Sequence, residues 1–141
     1  MLRAQSGNDV KRIVFACVHS AGRSQMAAAF FNLRAGASKA RAISAGTDPA
    51  DRVHAEVVRV MRELDIDLSQ AIPQRLTPDV AAGAAMLITM GCKENCPYIP
   101  GAKVLDWPLQ DPKSLALFRV REIRDEIGAR VDALIDAEGW R

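Results

Sequence analysis

Apolar residues fall along this chain in two patterns. Short, mostly apolar runs at 12–16, 40–45, 84–90 and 103–107 have the length and composition of strands. The run 84–90 is the most continuous, which suits a strand covered on both faces near the middle of a sheet. Between the runs the spacing changes to that of helices. Residues 24–33 form an Ala- and Phe-rich segment closed by Gly36. Asp48-Pro49 has the grammar of a helix start, an N-cap followed by Pro at the first helical position. Val53, Val57, Val60, Met61 and Leu64 then share one face, with Arg52, Glu56, Arg59 and Glu63 opposite. Thr77-Pro78 repeats that grammar before a short helix weakened by Gly83. From Ser114 onward Val120, Ile123, Ile127, Val131 and Leu134 mark a long amphipathic helix, with Glu126 and Arg130 as an i, i+4 pair on its solvent side.

Strands alternating with helices predict an α/β fold: a single domain with a four-stranded parallel sheet and helices on both faces. Residues 1–10 read as a loose N-terminal segment and 11–141 as the domain, with no repeat or linker dividing it. In such folds ligands gather beyond the carboxyl ends of the strands. The chemically interesting residues of this chain fall at those ends.

Composition narrows the picture. With 141 residues, 49% of them apolar and 26% charged, the chain is neither disordered nor collagen-like nor a disulfide scaffold. Its longest weakly polar stretch, ending at Met90, is about half of the ~20 residues a membrane span needs, and its first residues lack the apolar core of a secretory signal. A cytoplasmic location is expected. The net charge of +2, with no basic block interleaved with aromatics, leaves no footprint for a nucleic acid. Three cysteines, an odd number, argue for free thiols with a catalytic, metal-binding or buried role.

Cys17 ends the first strand, and Val18, His19, Ser20, Ala21, Gly22 and Arg23 follow it into a helix. This is the pattern of an oxyanion cradle with a nucleophile at its floor. Loop amides and the helix N-terminus suit a tetrahedral anion. Arg23 can offer two of its oxygens a planar fork. The same positive surroundings favour a thiolate at Cys17. Ser24 can donate a hydrogen bond to that sulfur, and His19 is expected to support the loop.

The run Cys-Val-His-Ser-Ala-Gly-Arg-Ser-Gln-Met at 17–26 resembles the anion loop of the low-molecular-weight protein tyrosine phosphatase fold, specifically its arsenate reductase branch. Ser44-Ala45-Gly46-Thr47, Met90-Gly91-Cys92, Cys96-Pro97 and Asp111-Pro112 follow in that family's order, so the resemblance spans about 11–136. It implies that Cys17 attacks arsenate, and that phosphate or sulfate can occupy the same loop. Cys92 would then attack the Cys17 sulfur and release arsenite, Cys96 would take over the disulfide, and reduced thioredoxin would open it. Asp111 would be the general acid, with Asp106 a structural carboxylate. No tightly bound cofactor or metal is implied. Zinc would have only Cys17 and His19 to complete a Cys92–Cys96 pair.

Two departures from the family pattern matter. Phosphatases of this fold usually carry an aromatic residue just after the Asp-Pro pair, where this chain has Lys113-Ser114. Some thioredoxin-linked reductases hold potassium through an Asn in the loop and an acidic residue in the next helix; the matching positions here are Ser20 and Ala28. The competing readings are a small phosphatase, a reductase that uses a small thiol as donor, and a non-catalytic arsenite or redox sensor.

Overall fold

The computed structural model describes residues 10–91 and 99–141. Four strands, β1 (Lys11–Cys17), β2 (Ala40–Gly46), β3 (Met86–Thr89) and β4 (Lys103–Asp106), form one sheet in the order β2-β1-β3-β4. Every neighbouring pair is parallel. The helices are α1 (Arg23–Arg34), α2 (Ala55–Arg62), α3 (Pro78–Ala81) and α4 (Leu117–Glu138). This is the expected parallel α/β sheet with helices on both faces. β1 and β3 lie inside it, and all four residues of β3 are buried.

Strand alternation sorts the core into two unequal parts. Ile13, Phe15 and Cys17 point to one face, where they join Met26, Phe30 and Phe31 of α1, Val57, Val60 and Met61 of α2, and Val120, Ile123, Ile127 and Val131 of α4. Val14 and Ala16 point to the other, where Leu87, Ala81, Leu76 and Ile99 make a smaller cluster. Among the described residues, therefore, three helices brace one face and the four-residue α3 alone stands on the other. Phe15 is locked between Phe31 and Trp107, with ring centroids 6.0 and 5.7 Å away. The outer edge of β2 is closed at Ala42, whose N–H and C=O both bond the Asn32 side chain, at 2.7 and 2.8 Å.

Two helix starts differ from the sequence pattern. α2 begins at Ala55, not after Asp48-Pro49. The amides of Thr47, Asp48, Ala50 and His54 donate instead to carbonyls of the loop after β1, so tertiary bonds displace the helical ones. α4 begins at Leu117, not Ser114. Ser114 has φ 63°, and Leu115 N–H closes a turn on the Pro112 carbonyl. Thr77 caps α3 as expected, its hydroxyl accepting from Val80 N–H at 3.1 Å.

α2 is pinned to α4 by Glu63, which accepts from Arg121 at 2.8–3.1 Å and from Arg124 at 2.9 Å. The Arg121 hydrogen bond is the main reason that the Glu63 carboxyl is lowered from 4.5 to about 2; partial desolvation opposes it and Arg124 adds to it. A lowered carboxyl stabilises the fold above its unfolded value and loses that contribution as pH falls through the folded one. Glu63→Gln should therefore lower the thermal midpoint at pH 7. The gap from wild type should close as pH falls from about 5 toward 2, a window set by the same shift.

Candidate oxyanion site

The site is built on the loop that leaves β1. Its carbonyls are tied outward one after another: Cys17 O accepts from Thr47 N, Val18 O from Asp48 N, His19 O from Ala50 N, Ala21 O from His54 N and Gly22 O from Met26 N, over 2.8–3.3 Å. Ser20 O accepts from the Gln25 side chain at 2.9 Å. In a planar trans peptide the N–H points opposite to the preceding C=O. Tying out the carbonyls of residues 17–22 therefore turns the amides of 18–23 to the concave side, an array that suits an anion. Ser20 sits at φ 52°, the left-handed turn that gives such a loop its curvature.

At the floor, Cys17 is 2% exposed and its Sγ lies 2.8 Å from Ser24 Oγ. Ser24 Oγ is 2.7 Å from Ser44 Oγ, which is 2.8 Å from Ser20 Oγ. Gln74 ends this chain, its N–H donating to Ser20 Oγ at 3.3 Å and its side chain to Ser44 O at 3.2 Å. With Gln74 N–H pointing in, hydroxyl protons can run from Ser20 through Ser44 and Ser24 to the sulfur, the direction that stabilises a thiolate.

Arg23 is buried against the rim. Its Nη1 donates to Leu109 O at 2.9 Å, and its Nη2 stands 3.7 Å from Asp111 Oδ2. Its Nε is buried without a hydrogen-bond partner among the described residues. An unpaired donor on a buried cation is costly, about 1–3 kcal/mol or more, unless a ligand completes it. A Cβ on Gly91 would stand 2.5 Å from Arg23 Nη1, so only glycine leaves the guanidinium this room. Asp111 is partly exposed and takes the Lys113 N–H at 3.0 Å, which caps a turn and not α4.

The structure thus brings together Cys17, Arg23, Ser24 and Asp111, with Val18, His19, Ser20, Ala21 and Gly22 as the loop. Cys92 and Cys96 lie outside the described residues. His19 Nδ1 is 3.0 Å from Asp48 O, the loop support expected of it. Asp106 accepts from Thr89 Oγ1 at 2.7 Å, a contact within the sheet. Sequence reasoning missed the parts played by Ser44 and Gln74. Ser44 was signalled by its place at the carboxyl end of β2 and by the Ser-Ala-Gly-Thr element that resembles the family, but neither gave it a role. Gln74 carried none, because it meets the site from 54 residues away. A resident potassium ion does not fit here: the Ser20 hydroxyl is engaged by Ser44 and Gln74, and Ala28 supplies no charge.

A strand-end cysteine under converging amides, with a buried arginine held ready beside it, defines a thiol enzyme site for a tetrahedral oxyanion. Residues 12–138 match the low molecular weight phosphotyrosine protein phosphatases, and the chain belongs to that family. It is 38% identical over 135 residues to a Halobacterium salinarum protein described as a "Putative arsenate reductase", covering 93% of this chain and 95% of that one. Among solved structures it resembles a thioredoxin-dependent arsenate reductase of Corynebacterium glutamicum, with TM-score 0.80, 36% identity and 95% of this chain covered. This chain spans 64% of that protein's length. It also resembles a structure described as an arsenate reductase in the phosphate binding state, with TM-score 0.78, 28% identity, and 91% and 98% of the two chains covered.

Gly46 tests the geometry of the loop. A Cβ there would meet Val18 O at 2.5 Å and Ser20 N at 2.7 Å, both backbone atoms of the cradle. Gly46→Ala should cut kcat/KM for the oxyanion substrate about 100-fold or more, as sub-ångström misplacement does. Far-ultraviolet circular dichroism should stay close to wild type. Unchanged kcat/KM would show that the loop is not held to this shape.

Proposed function

We propose that this protein is an arsenate reductase working through a three-thiol relay, regenerated by thioredoxin in the reducing cytoplasm. The observation that carries the oxyanion half of this reading is the buried Arg23 Nε, without a hydrogen-bond partner among the described residues, next to a loop whose amides turn to its concave side. An arsenate oxygen would complete that donor, and a second could take Nη2 in place of the 3.7 Å contact with Asp111.

The Cys17 thiolate attacks arsenic(V) and expels one oxygen as water, with Asp111 in reach to supply the proton. Ser24 steadies the sulfur before and after. The Cys92 thiolate then attacks the Cys17 sulfur. The S–As bond breaks, its electron pair stays on arsenic, and arsenite leaves as arsenic(III). Cys96 attacks Cys92, which frees Cys17 and leaves a Cys92–Cys96 disulfide for thioredoxin to open. Each turnover oxidises two thiols and reduces one arsenic by two electrons.

A reductase is favoured over a phosphatase by the two further thiols and by Lys113-Ser114, which give no aromatic wall for a phenolic ring. Phosphatase chemistry would need Cys17, Arg23 and Asp111 alone.

The test is NADPH consumption with thioredoxin, thioredoxin reductase and arsenate. Wild type should turn over, whereas Cys17→Ser, Cys92→Ser and Cys96→Ser should each be inactive. Arg23→Lys should lose about 100-fold or more in kcat/KM, as when a positioned oxyanion donor is removed. Turnover that depends on a small thiol and ignores Cys92 and Cys96 would replace the relay with direct attack on the Cys17 adduct. Hydrolysis of a phosphate ester with no arsenate turnover would make the protein a phosphatase.

A further inference from the structure

One titratable side chain at the mouth of the site has no part in the chemistry above. His54 precedes α2; its N–H donates to Ala21 O at 2.9 Å, and its carbonyl accepts from Val57 N and Val58 N, both at 3.0 Å. Its place is therefore fixed by backbone bonds from both sides. The imidazole is half-buried and packs edge-to-face on His19, with centroids 6.1 Å apart. It also closes on the loop itself. A Cβ built on Gly22 would lie 3.5 Å from His54 Cδ2 and 2.9 Å from Pro112 Cγ. His54 and the residue next to Asp111 thus flank the same point on the oxyanion loop.

We propose that His54 is the proton-linked partner of the bound oxyanion, holding its proton more tightly when a dianion occupies the loop than when the loop is empty. The proposal rests on the oxyanion reading of the Cys17 loop. The groups that face the imidazole are His19 from the loop, Asp111 and Lys113 from the segment after β4, and Glu56 from its own helix. Burial is the main influence and holds the imidazole below its usual value of 6.5. Asp111 and Glu56 pull it up, and His19 and Lys113 push it down. The net direction is downward, and a dianion in the adjoining loop would act on the same side as Asp111 and Glu56, against burial. Such a charge favours imidazolium, and a shift of about one unit or more is expected.

The sign follows from linkage. A group whose value is raised in the bound state strengthens binding at low pH, and the gain is lost as pH rises through the bound-state value. A one-unit rise from a value below 6.5 means that affinity for a non-titrating dianion falls by about threefold to eightfold on going from pH 5.5 to 8. His54 would thereby match substrate charge: it adds a positive charge for a dianion and is released as neutral product leaves.

Sulfate is the probe, because it stays a dianion across this range, and Cys17→Ser protein removes the thiol's own titration. The chain has only two histidines, so the ring signals of His19 and His54 can be followed by NMR and assigned with His19→Gln. Titration at constant ionic strength, with and without saturating sulfate, should raise the His54 midpoint by about one unit and that of His19 by clearly less. His54→Gln should remove most of the pH dependence of sulfate affinity while leaving its high-pH value unchanged. An identical His54 midpoint with and without bound sulfate would overturn the proposal alone, and this readout does not depend on how the His54 variant folds. Failure of sulfate to bind at any pH would overturn the oxyanion reading beneath it.

Discussion

The loop after β1 works only because its carbonyls are held outward. Six successive C=O groups, from Cys17 to Gly22, are taken up by the segment 47–54, by Gln25 and by the first turn of α1. Peptide planarity then sends the amides inward without further design. The same requirement explains features that look unrelated. The residues after β2 cannot be helical, since their N–H groups are spent on the loop. Gly46 must lack a side chain, since it passes within contact of Val18 and Ser20. α2 starts only where the last of these donors, His54, has been used.

Around that frame the structure separates two tasks. Behind the cysteine, a chain of neutral hydroxyls from Ser20 through Ser44 and Ser24 offers the sulfur a hydrogen bond without placing a carboxylate near it. In front, Arg23 is buried with the partly exposed Asp111 3.7 Å away, and His54, packed on His19, faces Asp111. Neutral donors at the floor and a buried arginine in front suit a site that binds a dianion and releases a neutral product. The larger half of the core, with three helices packed on one face of the sheet, keeps β1 and α1 in fixed relation while this happens.

Much of this was legible in the sequence. Residues 12–16 to 17–26 form a strand, loop and helix in consecutive residues, so local pattern was enough to place Cys17, Arg23 and Ser24. The buried faces of α2 and α4 followed from spacing, except that Leu64, expected on the α2 face, lies past the helix end and is exposed. What was not legible comes from far along the chain. Asp48-Pro49 has the local grammar of a helix start, yet its neighbours bond the loop some 30 residues earlier. Ser114 has the look of a first-turn residue, yet its left-handed backbone serves the turn after Asp111. Gln74 and His54 reach the site only through the parallel register that aligns Cys17 with Gly46. No periodicity reports such contacts.

In the proposed relay the electrons for the oxyanion come from this chain's own cysteines, and a single turnover with no external donor reads them out. Fully reduced protein, freed of small thiols and given arsenate, should release one arsenite per chain, and its titratable thiols should fall from three to one. Protein that keeps all three thiols and releases no arsenite would rule the relay out.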